Sequence, residues 1–390
     1  MIRKFLAIFV KESVDNLRDR RTLFTVLVFG PLFGPLFYTM MMNTLVNREV
    51  ADLYQPLKLA VAGAERAPGL MEFYRQHNTE IEKAPADPRQ AVKDGRQDVV
   101  LVIPADYADA FREGKPAPVQ LVVDQSRDTA RKNVKRAREI LDEYSRGIAS
   151  LRLVARGMDP RAVEPLAIEE ADVSTPQSRA AMVLAMMPYF FLFAAILGAF
   201  YLAIDTTAGE RERGSLEPLL TTAVPRAVLV GGKLAAVTLF SAVSLGLDVA
   251  ALEWCQGLIP AAKLDISIDF TPGTALVTFL TCVPFCLFIG ALLSVVASFT
   301  KSYKEAQTWL SFIMLLPLIP VLGMVLFPTL PQWWMMLLPS LSQDVLVTAL
   351  IKGEPLKPLY VALSVGSTLA FGALLTALAV WLYRRERILG

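Results

Sequence analysis

The chain has 390 residues, 54% of them hydrophobic, and a mean hydropathy of +0.44, a balance that excludes an ordinary soluble protein. Its formal net charge of +2 carries no information by its sum; where the charges fall along the chain does. Three cysteines in or beside apolar runs, Cys255, Cys282 and Cys286, suggest neither a disulfide framework nor a zinc site, and the single His77 excludes a histidine-based nucleophile set or metal cluster.

Residues 1–22 combine Phe5, Leu6, Ile8, Phe9, Val14 and Leu17 with Arg3, Lys4, Lys11, Arg18, Arg20 and Arg21, the pattern of a cytoplasmic helix lying on an anionic membrane face. Residues 23–46 read as a first membrane span rather than a cleaved signal peptide, being too long and followed by Asn47-Arg48-Glu49, with Pro31 and Pro35 predicting a kink. From 47 to 178 the composition changes to that of a soluble α/β domain. Apolar bursts at Leu57–Ala62, Asp98–Ile103 and Val119–Val123 predict strands, and the spacing from Asp128 to about Arg156 predicts a long helix with a solvated basic face. No aromatic interleaving or recognised motif accompanies that face, so nucleic acid is not expected as a partner.

Residues 179–204 form a second predicted span, 228–252 a third, 274–299 a fourth, 306–327 a fifth and 358–383 a sixth. Between the fifth and sixth, residues 328–352 are apolar but broken by Pro331 and Pro339, with Trp333 and Trp334 between them, which predicts short re-entrant helices near the outer headgroups. Lys and Arg in short connections concentrate in the N-terminal helix, in 205–227, in 300–305 and in the tail 384–390, which predicts cytoplasmic termini and an extracytoplasmic 47–178 domain.

The segment 205–227 is too charged to lie in hydrocarbon. Ser215 stands where it can cap a helix, Pro218 falls in the first turn, and Leu216, Leu219 and Leu220 share one face, so a short amphipathic helix is expected whose leucines need a protein cleft or a lipid surface to cover them. Glu210, Glu212 and Glu217 would be repelled by an anionic leaflet, which favours the protein cleft. Ala227 to Leu234 is the nearest approach to a phosphate-binding loop, but alanine replaces its first glycine and leucine its magnesium-binding hydroxyl. Gly231-Gly232-Lys233 then reads as a helix entry and a cytoplasmic anchor. Asp248, with Asn43 and Asp344 behind it, is a candidate for a substrate pathway, because an ionisable group in an apolar run is costly unless it meets water or a partner. For Asp248 the competing expectation is a place near the outer interface with Glu253; for Asn43 and Asp344 it is capping or an interfacial contact.

The string ERERGSLEPLLTT at 210–222 resembles the cytoplasmic coupling segment of permease subunits of ATP-binding-cassette exporters, in the type-two branch that includes the NatB-like sodium-export permeases. VQLVVDQSRDTARKNVKRAREILDEY at 119–144, KSYKEAQ at 301–307 and LPSLSQDVLVTALIKGEP at 338–355 resemble the same family in the same order. The resemblance implies a mostly α membrane protein with six spans, an extracytoplasmic α/β domain after the first and a re-entrant region after the fifth, in the bacterial inner membrane. It implies coupling to a cytoplasmic ATPase subunit through Glu210, Glu212, Gly214, Leu216, Glu217, Leu219 and Leu220, with Lys304 and Glu305 on the other cytoplasmic turn. ATP and magnesium would bind that partner and no cofactor this chain; a second permease copy or homologue and membrane lipid complete the implied partners, and sodium is an implied cargo. A membrane-anchored sensor or envelope assembly factor, whose outer domain binds a ligand without transport, is the alternative reading.

Overall fold

Among the described residues six helices are long and apolar enough to cross a membrane: Arg20–Thr44, Met187–Glu212, Arg226–Leu258, Pro272–Ser298, Tyr303–Met324 and Pro358–Arg384, taken below as the first to sixth spans. They belong to a computed structural model that describes residues 1–124, 126–127, 130–163, 185–258, 270–327 and 329–384. The predicted start of the second span at 179, the loop charges Lys263, Asp265 and Asp269, and the tail beyond Arg384 lie outside the described residues. The chain divides into one unit of residues Met1–Asn47 and Val173–Gly390 and another of Arg48–Asp172.

In the first unit the N-terminal helix Ile2–Arg18 presents Ile2, Leu6, Val10, Val14 and Leu17 outward as one apolar stripe, as a helix lying on lipid requires. Its opposite face buries Glu12 and Asn16. Asp19 ends this helix and caps the next, its carboxylate accepting from the backbone N–H of Arg21 and Thr22 and, at 2.6 Å, from the Thr22 hydroxyl. Where the sequence predicts a proline kink in the first span, the chain makes a wide π-helical turn at Thr25–Phe29, directly before Pro31 removes a donor from the ladder. The second span carries a similar turn at Asp205–Gly209. The fifth is interrupted between Tyr303–Ile313 and Leu318–Leu326, where Pro317 and Pro320 cannot donate.

The second span is the core of this unit: Phe191, Ala195, Ile196, Ala199 and Ala203 are wholly buried. Gly198 lets the third span approach so closely that a Cβ there would stand 2.7 Å from the carbonyl oxygen of Phe240 and from the Ser244 Cβ. Beside it the Ser241 hydroxyl donates to the Ala195 carbonyl at 2.7 Å. The apolar helix Leu341–Ile351 is fastened to the sixth span through Gln343, whose carboxamide donates to the Thr368 hydroxyl at 3.0 Å and accepts from the Ser340 N–H at 2.7 Å.

The second unit is built on a four-stranded sheet of order β2-β1-β3-β4, with β1 at Leu57–Ala62, β2 at Thr79–Lys83, β3 at Val99–Val102 and β4 at Gln120–Val123. β1 runs parallel to β2 and β3, and β3 antiparallel to β4, with Val61 opposite Leu101 and Val100 opposite Val122. β3 is buried on both faces and so appears in the sequence as an unbroken apolar burst, as does β1 after its exposed Lys58. β2 is an edge strand, TEIEK, whose single apolar side chain gives no such signal. One face packs Leu57, Leu59, Val61, Val99 and Leu101 on Leu70 and Tyr74 of helix Pro68–Gln76 and on Ala137 and Ile140 of the long helix Arg131–Ala155. The basic face of that helix is not wholly solvated: Arg136 donates to the carbonyls of Gln55 at 3.0 Å and His77 at 3.3 Å.

Candidate functional site

The charged segment after the second span is shaped by what its leucines meet. Gly214, at φ +67°, turns the chain where an L side chain would be strained, and Leu216–Thr221 follows as a short helix. Ser215 precedes it but does not cap it: its hydroxyl donates back to the Glu210 carbonyl at 3.2 Å, closing the turn instead. Leu216 is only 3% exposed, packed with Leu229 and Val230 of the third span, Val295 of the fourth, and Ala379 and Tyr383 of the sixth, with Leu219, Leu220 and Ile8 around them. The expectation that these leucines need an external cleft is therefore corrected: the apolar face is turned inward onto the chain's own spans. Glu217, Pro218, Thr221 and Thr222 face outward.

Polar ties fix the segment at both ends. The Lys4 ammonium donates to the Ala223 carbonyl and the Arg226 guanidinium to the Leu220 carbonyl, both at 2.6 Å. Arg213 pairs with Asp205 at 2.7 Å. Arg211 donates to the Thr300 carbonyl at 3.1 Å, and the Glu212 carboxylate accepts from the Tyr303 N–H at 2.5 Å, so the segment is joined to the 300–305 turn. On that turn Glu305 accepts from the Lys301 N–H at 2.8 Å and Lys304 is exposed.

Glu210 does not face outward. It is 5% exposed and ion-paired with Lys233, itself 4% exposed, whose ammonium also donates to the Thr206 carbonyl at 2.8 Å in the wide turn. The Lys233 anchor expected at the membrane surface is thus a buried partner, because an uncovered ammonium at this depth needs both a counter-charge and an acceptor. Lys11 of the N-terminal helix stands 3.8 Å from Glu210 and 3.0 Å from Glu12. Burial, opposed by Lys233 and Lys11, leaves the Glu12 carboxyl above its usual range. Four alternating charges from the N-terminal helix, the charged segment and the third span thereby meet in one place.

Asp248 is wholly buried in the third span, and neither carboxylate oxygen finds a hydrogen-bond partner among the described residues. The Ser244 hydroxyl, one turn away, and the Thr278 hydroxyl of the fourth span are buried and unpartnered as well. A Cβ on Gly246 would lie 3.3 Å from the Phe279 ring, so the third and fourth spans approach closely there. Asp344 is buried in the first turn of Leu341–Ile351, while Asn43 is half-buried in the first span. The structure thus gathers Glu210 to Leu220 and the 300–305 turn into one cluster, and leaves Asp248, Asn43 and Asp344 as separate positions.

The family described as ABC-2 family transporter protein matches residues 20–381, nearly the whole chain. The chain belongs to that family. Over 325 residues it is 28% identical to the ABC transporter permease protein NatB of Bacillus subtilis (strain 168), covering 80% of this chain and 81% of that one.

In this permease the residues that sequence reasoning missed are Lys11, Glu12 and Lys233. Lys233 stands 23 positions from Glu210 and Lys11 is farther still, so no local spacing announces the cluster. The one available signal was a lysine, Lys233, just inside an apolar run.

Proposed function

We propose that this ABC-2 permease, paired with a second copy or a homologous permease, forms an export pathway driven by ATP and magnesium bound to separate cytoplasmic ATPase subunits. The observation that carries this reading is the two-sidedness of Leu216–Thr221: an inner face locked onto the third, fourth and sixth spans, and an outer face of Glu217, Pro218, Thr221 and Thr222 free for a partner. A push on the outer face is delivered to three spans at once, and the Glu210–Lys233 pair carries it to the start of the third. Glu210 therefore acts inside the chain, and the partner is met by Glu212, Glu217 and the Lys304 surface.

Nucleotide chemistry is assigned to the partner because the near-match at Ala227–Leu234 lies inside the helix Arg226–Cys255, where a Cβ on Gly232 would stand 2.8 Å from Ile8 and where Lys233 is already paired. Closing an ATPase pair supplies the roughly 5.5 kcal/mol that moves a two-state protein from 1:99 to 99:1. Sodium is the cargo to test first, since driving each such ion outward against 100 mV costs about 2.3 kcal/mol and demands an energy source. The lysines and arginines of the N-terminal helix, the 205–227 segment and the 300–305 turn support cytoplasmic termini, with Arg48–Asp172 on the outer side of a bacterial inner membrane.

Reversing the outer face tests the reading without touching the core. Glu217→Arg combined with Thr221→Arg is expected to abolish permease-stimulated ATP hydrolysis by the co-expressed ATPase subunit, while insertion and thermal stability stay unchanged. Hydrolysis at the wild-type rate would remove this helix from the coupling path and return the sensor alternative to consideration.

A further inference from the structure

Force transfer at the charged segment gives no role to Asp248, a wholly buried side chain whose two oxygens have no hydrogen-bond partner among the described residues. No lysine or arginine occurs in 23–47, 187–209, 234–258, 272–298, 305–327 or 358–383, so the apolar stretches of the spans supply it no counter-charge. A buried carboxylate left in that state is costly, and the cost points to a function.

Two hydroxyls share its condition. Elsewhere in the spans Thr206, Thr281, Ser294 and Ser298 satisfy theirs by donating to the carbonyl one turn back. Ser244 and Thr278, both wholly buried, do not, and neither has another partner among the described residues. Ser244 stands one turn before Asp248 on the same face of the third span, against the first span, where a Cβ on Gly30 would lie 2.8 Å from its Oγ. Thr278 belongs to the fourth span. A Cβ on Gly246 would meet Phe279 and one on Gly290 would meet Val237 at 3.1 Å, so the two spans run antiparallel, and Thr278 stands within about one turn of the depth of Asp248.

We propose that Asp248 and Ser244, with Thr278 of the fourth span, hold one dehydrated alkali-metal cation. Carboxylate and hydroxyl oxygens are the donors that replace the water around a hard ion. The carboxylate matches a single positive charge, whereas a divalent ion would leave one charge uncompensated in apolar surroundings. The use of this site in transport rests on the export reading above; binding itself does not.

The test is equilibrium binding of radioactive sodium to the purified full-length permease in lipid nanodiscs, without the ATPase and with choline holding the ionic strength constant. Saturable binding is expected, displaced by unlabelled sodium and not by choline. Asp248→Asn removes it while the unfolding temperature in choline is kept, and Ser244→Ala and Thr278→Val each raise the half-saturating concentration by about threefold or more. Glu253→Gln, on the same helix, leaves it unchanged. No saturable binding by the wild type would mean that a proton neutralises Asp248, and would overturn the proposal; so would binding that survives Asp248→Asn, or that neither hydroxyl variant weakens. Saturable binding lost in Asp248→Asn, with no ATP-driven sodium uptake by the assembled complex, upholds the site and counts against sodium as cargo; uptake without saturable binding does the reverse.

Discussion

The side chain that organises the charged segment after the second span is Lys233. An ammonium taken out of water is tolerated only with compensation, and here Glu210 and the Thr206 carbonyl provide it, with Glu12 and Lys11 completing the charge pattern. Breaking a buried pair from one side strands a charge. Lys233→Met and Glu210→Gln are each expected to destabilise the purified protein by about 3–5 kcal/mol, while the double variant loses clearly less than their sum. Thermal unfolding of the four proteins in one detergent measures this, and strict additivity would mean that the two groups do not interact. Asp248 poses the opposite problem, a carboxyl buried without a partner among the described residues. If it lies on the cargo path, Asp248→Asn lowers ATP-driven sodium uptake into inside-out vesicles by at least tenfold while assembly with the ATPase is retained; an unaltered rate takes it off the path.

At the scale of elements, close approach of the second and third spans depends on Gly198. A leucine there meets the Phe240 carbonyl and the Ser244 side chain, so Gly198→Leu is expected to cost about 1–3 kcal/mol or to block folding, seen as a lowered unfolding temperature and reduced recovery from the membrane. The spans themselves were legible in the sequence because some 20 apolar residues have few other uses. The strands β1 and β3 were legible for a related reason, burial on both faces, complete in β3 and broken in β1 only at Lys58; β2 was not, because an edge strand written TEIEK looks like a polar connection. The two wide turns in the first and second spans left only indirect traces, prolines in one and consecutive threonines in the other. In the second, the Thr206 and Thr207 hydroxyls donate to the carbonyls of Leu202 and Ala203. Periodicity identified the leucine face of 216–220 but not what covers it, since an amphipathic pattern records that a face is buried and not by whom. The same limit hid Lys233, whose place at the mouth of an apolar run reads as an anchor until its distant partner is known.

The molecule as a whole has, among the described residues, six helices apolar enough to cross a membrane and an α/β unit inserted in sequence after the first. Its sidedness can be read with introduced cysteines, because Cys255, Cys282 and Cys286 are fully buried and leave a silent background. A cysteine at Glu72, exposed in the α/β unit, is expected to react with impermeant maleimide only from the outer face of intact cells. The most direct measurement places the cysteine at Thr221, on the exposed side of the short helix, and follows its labelling in inside-out vesicles with and without the ATPase subunit. The account predicts labelling from the cytoplasmic side alone and a rate that falls at least tenfold when the ATPase is assembled; labelling from outside, or one rate in both conditions, contradicts it.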